Sequence, residues 1–283
     1  AGFLGRLDMS KHETFAEYPP RGLAAAEATL LTIWPTLNRH HDDLVLVGGL
    51  AVHYLTKQST GGWPGAVTMD VDLGISVAAE GGQYGTVLSD LAGLGFKPDQ
   101  DHPNRLLRQV EDMALYVDFL TELPSATTGT RTVDDVIASV VPGINRALES
   151  RRIMKIEGWD IYGVKQTCEL AVSDIGPLLV LKLNAFGGPT GRRHPKDAYD
   201  ILLAVTSFVD GPQAALDAFQ AEGTKGNTGF ASAVEALRRD FGSVDADAPV
   251  RAAEFLRGTF DAQMRVREEL VTAAKFLLAA CRT

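Results

Sequence analysis

Two aspartates one residue apart, Asp70 and Asp72, stand inside the apolar run "VTMDVDLGISV". In a strand, residues two apart project from one face, so the two carboxylates would lie side by side while Met69, Val71 and Leu73 face the other way. Isolated buried carboxylates are costly, so they must meet cations, accept strong hydrogen bonds or stand at the exposed end of a sheet. A divalent ion answers that demand. Mg²⁺, or Mn²⁺ in its place, prefers oxygen ligands and takes few carboxylates, leaving its other positions to water and phosphate. Asp118 in "LYVDFLT" offers a third carboxylate from another apolar segment. Three acids would support a two-metal site, one ion acidifying an attacking hydroxyl and the other stabilising a triphosphate. No cation in the sequence adjoining Asp70 and Asp72 is placed to neutralise both.

The preceding stretch, "LVLVGGLAVHYL", reads as a short buried strand, a Gly48-Gly49 turn and a helix. Such a turn lets a phosphate approach the backbone and meet helix N-terminal amides, so metal and amides together suit a nucleotide. Further on, Lys182 interrupts the apolar run "LLVLKLNAF", where it stands either at a boundary with solvent or in a polar cleft. In "GRRHPKDAYDIL", Arg192, Arg193, His194 and Lys196 form the densest cationic cluster of the chain, beside a helix start where anions are favoured. Asp197 and Asp200 share a face of that helix. The same residues are also what a capped, salt-bridged helix N-terminus would contain.

The elements that must hold these groups are readable in outline. "PPRGLAAAEATLLTIWPTLNRHH" predicts an N-terminal helix, Val67 to Val77 a strand, "YGTVLSDLAGLGF" a helix, and "NRLLRQV" and "MALYVDFLT" two strands parted by Glu111-Asp112. Gln58 to Ala66 has the composition of a loop. "RIMKIEGWDIYGV" suggests a hairpin turning at Glu157-Gly158, and from Pro177 onward helical spacing dominates. The expected organisation is a mixed α/β part over 1–175 and a helical domain over 176–283 that closes a cleft upon it.

With 283 residues, 45% of them hydrophobic, the chain can bury substantial cores. No apolar run reaches the roughly 20 residues that cross a bilayer, and the first residues contain no continuous apolar segment suited to secretion, so a cytoplasmic protein is expected. Cys168 and Cys281 lack metal-type spacing and read as reduced, buried thiols. A net charge of -9 argues against indiscriminate nucleic-acid binding, though a local basic site is compatible with it.

Taken in order, "VGGLAVHYL", "TMDVDLGI" and "YVDFL" resemble the polymerase-β-like nucleotidyltransferases, which carry a Gly-Gly or Gly-Ser turn, a D-x-D strand and a third strand Asp. "LLVLKLNAFGGPTGRRHPKDAYDILL" is similar to the Lys…Arg…Lys/Arg-Asp-x-x-Asp-Leu segment of the AbiEii-type members, mostly toxins of toxin-antitoxin or phage-abortive systems. The resemblance spans about Leu44 to Leu203. It implies an α+β nucleotidyltransferase fold, a mixed sheet flanked by helices, followed by a C-terminal helical domain. It further implies that Asp70, Asp72 and Asp118 bind metal, that Gly48, Gly49, Thr68 and Lys182 hold the nucleoside triphosphate, and that Asp197 completes the catalytic set. Arg192, Arg193 and Lys196 would hold an acceptor such as the 3′ end of tRNA or another RNA, and a cognate antitoxin protein would be a partner. Related toxins carry an Arg two positions before the Thr of T-x-D-x-D. Here Ala66 stands there, with Lys57 and Arg105 as the candidate replacements. The alternatives are transfer to a small molecule or protein, phosphate transfer, or a nucleotide- or partner-binding module without turnover.

Overall fold

Leu44–Val47 (β1) is buried along its whole length and occupies the interior of a mixed sheet. In this computed structural model, residues 12–56, 62–77, 86–110, 113–124 and 126–279 are described. β1 leads directly into the helix Gly48–Leu55 (α2). Asp70–Ile75 (β2) then runs antiparallel to β1, and after the helix Val87–Gly93 (α3) and the two-residue strand Lys97–Pro98 (β3), Arg105–Val110 (β4) and Met113–Thr121 (β5) form a hairpin. β5 lies parallel to β2. Thr130–Val133 (β6) and Val136–Val140 (β7) attach to the end of β5. After the short helix Ile144–Glu149 (α4), Arg151–Trp159 (β8) and Lys165–Ser173 (β9) complete the sheet in the order β3-β4-β5-β2-β1-β9-β8.

The architecture is therefore mixed α/β, a mixed sheet flanked by helices. Gly22–Thr36 (α1) covers part of the sheet, where the Trp34 indole N–H donates to the Glu169 carbonyl at 2.9 Å. Beyond the sheet come the helices Ile175–Gly187 (α5), Pro195–Thr206 (α6), Pro212–Glu222 (α7), Phe230–Asp240 (α8), Asp247–Leu256 (α9) and Phe260–Ala279 (α10). α5 is buried on nearly every side and packs on α6, α7 and α8. Each of its buried Leu or Ile side chains contributes on the order of 1.5–3 kcal/mol. α2 contacts β2 on one side and α5 and α6 on the other, which places the turn at its start between sheet and helices. A continuous apolar core runs from Leu46 and Leu170 in the sheet to Leu202 and Phe255 in the helices.

Several local expectations are corrected. The strand carrying the aspartate pair begins at Asp70 rather than Val67. The β8–β9 hairpin turns at Asp160–Gly163, and Gly158 remains inside β8 opposite Gln166. Asp160 accepts the N–H groups of Tyr162 and Val164, and Gly163 takes a φ of +74°, a combination that builds the turn beyond the Glu-Gly pair. β6 and β7 were not expected. Cys168 is a buried thiol, and Cys281, Lys57 and Glu111-Asp112 lie outside the described residues. Among the described residues, no helix is long and apolar enough to cross a membrane.

Candidate metal and phosphate site

Strand register builds the acidic half of the site. Asp118 on β5 pairs with Asp72 on β2, and Asp72 pairs in turn with Val47, the last residue before the Gly48-Gly49 turn. Asp70, two residues before Asp72, projects from the same face. One carboxylate oxygen from each of Asp70, Asp72 and Asp118 lies within 4.8 Å of the others. Asp70 and Asp118 are buried, and Asp72 is partly exposed. The Thr68 hydroxyl donates to Asp70 Oδ1 at 2.5 Å, which fixes the orientation of that carboxylate.

The glycines are sterically required. Gly48 has a φ of +69°, and a Cβ there would come 1.8 Å from Asp72 Oδ2. A Cβ on Gly49 would meet Thr68 Cβ at 2.7 Å and Lys196 Nζ at 3.0 Å. The turn is thus pressed against both strand residues and a lysine from α6.

Arg105 enters the same row. It lies opposite Asp118 on β4, so Arg105, Asp118, Asp72 and Val47 line up across four neighbouring strands. Its Nε donates to Asp118 Oδ1 at 2.8 Å and its Nη2 to Asp118 Oδ2 at 2.7 Å, and Nη2 stands 3.9 Å from Asp70 Oδ2. The guanidinium also stacks 4.8 Å above the Tyr116 ring. A buried arginine from the adjoining hairpin strand, more than thirty residues beyond the aspartate pair, thus bridges two of the three acids, Asp118 and Asp70.

The second half of the site comes from α5, α6 and the loop between them. Lys182 Nζ donates to Asp200 Oδ2 at 2.6 Å and stands 3.7 Å from Asp197 Oδ1. Lys196 Nζ donates to the same Asp200 oxygen at 2.7 Å. Arg192 grips Asp197 with two hydrogen bonds of 2.7 and 2.9 Å. Burial alone would raise the Asp197 pKa, but Arg192, Lys182 and Lys196 together hold it well below the usual carboxylate range. Burial likewise disfavours the charged Lys196, yet Asp200 and Asp197 outweigh it and raise its pKa. Three cations facing two carboxylates leave this end with one net positive charge.

Both halves open on a cleft of about 510 Å³ lined by Gly48, Asp72, Asp118, Lys182 and Arg192, with Leu120, Ile144 and Leu181 forming an apolar wall. Lys182 is therefore a cleft lysine and not a solvent-boundary one. Asp197 is fully buried behind Arg192, and Thr68 lies beneath Asp70. The expected acceptor cluster does not stay together. Arg192 lines the cleft, whereas Lys196 is committed to Asp200 below the glycine turn, and Arg193 binds Asp240 at 3.1 Å and Asp247 at 2.6 Å on α8 and α9. Arg193 takes a left-handed φ of 51°, which turns its side chain toward those helices. His194 caps α6 by accepting the Lys196 N–H, so this segment is also a capped, salt-bridged helix start.

Sequence reasoning named Arg105 but missed its pairing with Asp118. The signal was present: a hairpin pairing Val110 with Met113 must place residue 105 opposite residue 118. Asp200 was noted on the helix face, but its grip on two lysines follows from the packing of α5 against α6.

The known protein families offer no match to this chain. A search of curated proteins also finds none.

Proposed function

We propose that the protein is a metal-dependent nucleotidyltransferase, moving a nucleotidyl group from a nucleoside triphosphate to an acceptor hydroxyl with release of pyrophosphate. The observation that carries this reading is the convergence of Asp70, Asp72 and Asp118 beside the Gly48-Gly49 turn, in a cleft that also holds Lys182 and Arg192. The donor set fits a divalent cation such as Mg²⁺, being three carboxylates with oxygens close enough to share one ion. Such an ion, when bound, polarises a phosphoryl oxygen and lowers the pKa of a hydroxyl. Thr68 orients Asp70 for that task, and Gly48 lines the cleft, where the backbone of the turn would meet the triphosphate. Lys182 and Arg192 give the opposite wall a positive charge for the phosphates that depart. The resemblance to AbiEii-type proteins supports the same reading, and it alone carries the toxin role, the cognate antitoxin and the RNA acceptor.

A second reading, transfer to a small molecule or protein, is favoured by the cleft lining. Among the described residues it contains no aromatic ring on which a base could stack, and the cations Arg193 and Lys196 are held by acids. Incubating the protein with each labelled triphosphate, Mg²⁺ and total RNA separates the two. Label on RNA supports the first reading, pyrophosphate release without RNA label requires the second, and no triphosphate turnover with any acceptor pool rejects both.

A further inference from the structure

We propose that strand β8 pairs antiparallel with β8 of a second copy of this chain, about a two-fold axis at Ile156. Among the described residues, β8 ends the sheet and pairs with β9 alone, so its far side is an edge nine residues long without proline. The opposite end of the sheet is blunted: β3 has two residues, one of them Pro98, which has no N–H to offer. A long regular edge is a template for another strand.

Backbone direction fixes which residues meet the partner. The Asp160 N–H donates to the Val164 carbonyl and the Asp174 N–H to the Ser150 carbonyl, one step beyond either end of the β8–β9 ladder. Hydrogen-bonded pairs alternate along an antiparallel ladder, so even-numbered residues of β8 turn their N–H and C=O groups to β9 and odd-numbered ones to the edge. The odd-numbered side chains Ile153, Lys155, Glu157 and Trp159 also form the exposed face of the strand. Ile153 is 63% and Trp159 64% exposed, two large apolar groups flanking a pair of charges.

In a copy related by that axis, Lys155 stands opposite Glu157 of the second copy and Ile153 opposite its Trp159, and symmetry repeats both pairs. Opposite charges and an aliphatic–aromatic pair then face each other at every one of these exposed positions. Moving the axis one residue either way sets Lys155 against Lys155 or Glu157 against Glu157. Of these neighbouring registers the first alone is self-complementary, as an isologous interface requires. Within the chain, Glu157 has Lys155 at 3.2 Å and Lys165 at 3.9 Å, exposed ion pairs of little energetic worth that leave these groups able to face a partner.

Sedimentation equilibrium of the full chain tests the proposal, for wild type, Lys155→Glu, Glu157→Lys and the double exchange of both, with circular dichroism to verify folding. The measurement reads association only, so it stands apart from the metal-dependent reading. Wild type should dimerise. Each single variant sets like charges opposite each other twice per dimer and should raise the dimer Kd about tenfold or more. The double exchange should return the Kd to near that of wild type. An equimolar mixture of the two single variants should form mixed dimers, because every Glu of one then faces a Lys of the other. A wild type that remains monomeric at roughly 100 µM would overturn the proposal and leave the edge to a different chain. Dimers that neither single variant weakens would overturn it by placing the contact on another face, and single variants that mixing does not rescue would overturn the register.

Discussion

Gly48 and Asp72 are in contact across the end of the sheet, so close that a Cβ on the glycine would stand 1.8 Å from the carboxylate oxygen. The pair couples the phosphate-facing turn to the metal-facing strand: neither can shift without moving the other. The φ of +69° at Gly48 adds a conformational demand that L-residues meet at a cost of about 1–2 kcal/mol.

Gly48→Ala is therefore expected to lower stability by about 2 kcal/mol or more and to abolish Mg²⁺-dependent nucleotide binding. Thermal melting and calorimetric titration check the two effects separately. Normal nucleotide binding in a folded variant would remove the turn from the site.

Asp72→Asn keeps the shape of a partly exposed side chain, so the fold should survive while metal-dependent nucleotide affinity falls by about a hundredfold or more. Asp70→Asn should lose binding to a similar degree, with some added loss of stability because Asp70 is buried and accepts the Thr68 hydroxyl. Calorimetry with and without Mg²⁺ decides the matter, and wild-type affinity in either variant would exclude that carboxylate as a ligand.

Arg192 and Arg193 are neighbours with different fates, and alanine substitution should divide them. Arg192→Ala removes a cleft cation and should weaken triphosphate binding about tenfold. Arg193→Ala breaks the ties to Asp240 and Asp247, so it should lower the melting temperature and leave nucleotide affinity near that of wild type. If the two variants behaved alike in both assays, the separation of their roles would be wrong.

Acid should weaken the fold in two stages. Burial lowers the His194 pKa, so the unfolded chain takes up a proton more readily than the native one, and stability falls as pH drops through the ordinary imidazole value of about 6.5. Protonation also removes the nitrogen that accepts the Lys196 N–H. Asp197, held below its ordinary range despite its burial, contributes stability that is present above the unfolded carboxylate value of about 3.9 and is lost as pH falls further. Urea midpoints at a series of pH values should show both stages. His194→Asn keeps a capping acceptor and should flatten the first; an unchanged slope there would assign it to another group.

The acidic half of the site was the more legible half, for a physical reason. A strand alternates its faces every residue and a glycine pair ends it, so Asp70, Asp72 and the turn announce their relation locally. Asp118 stood out because a carboxylate inside "LYVDFLT" needs a partner, and that partner, Arg105, was fixed by hairpin register. The cationic half depends on how two helices cross. Nothing local states that Lys182 and Lys196 share one oxygen of Asp200, or that Arg193 is claimed by acids more than forty residues later in the chain. The β8–β9 turn was misplaced because a side chain, Asp160, builds it more effectively than the Glu-Gly pair.

β1 lies between β2 and β9, so its second neighbour is encoded about a hundred residues after its first. During synthesis, at about 5–20 residues per second, the carboxylate row is complete once β5 has emerged, whereas the edge of β1 stays uncovered until β9 follows. The cations of α5 and α6 come later still. An emerging chain thus passes through a stage with an unpaired apolar strand edge, the kind of surface that invites wrong pairing.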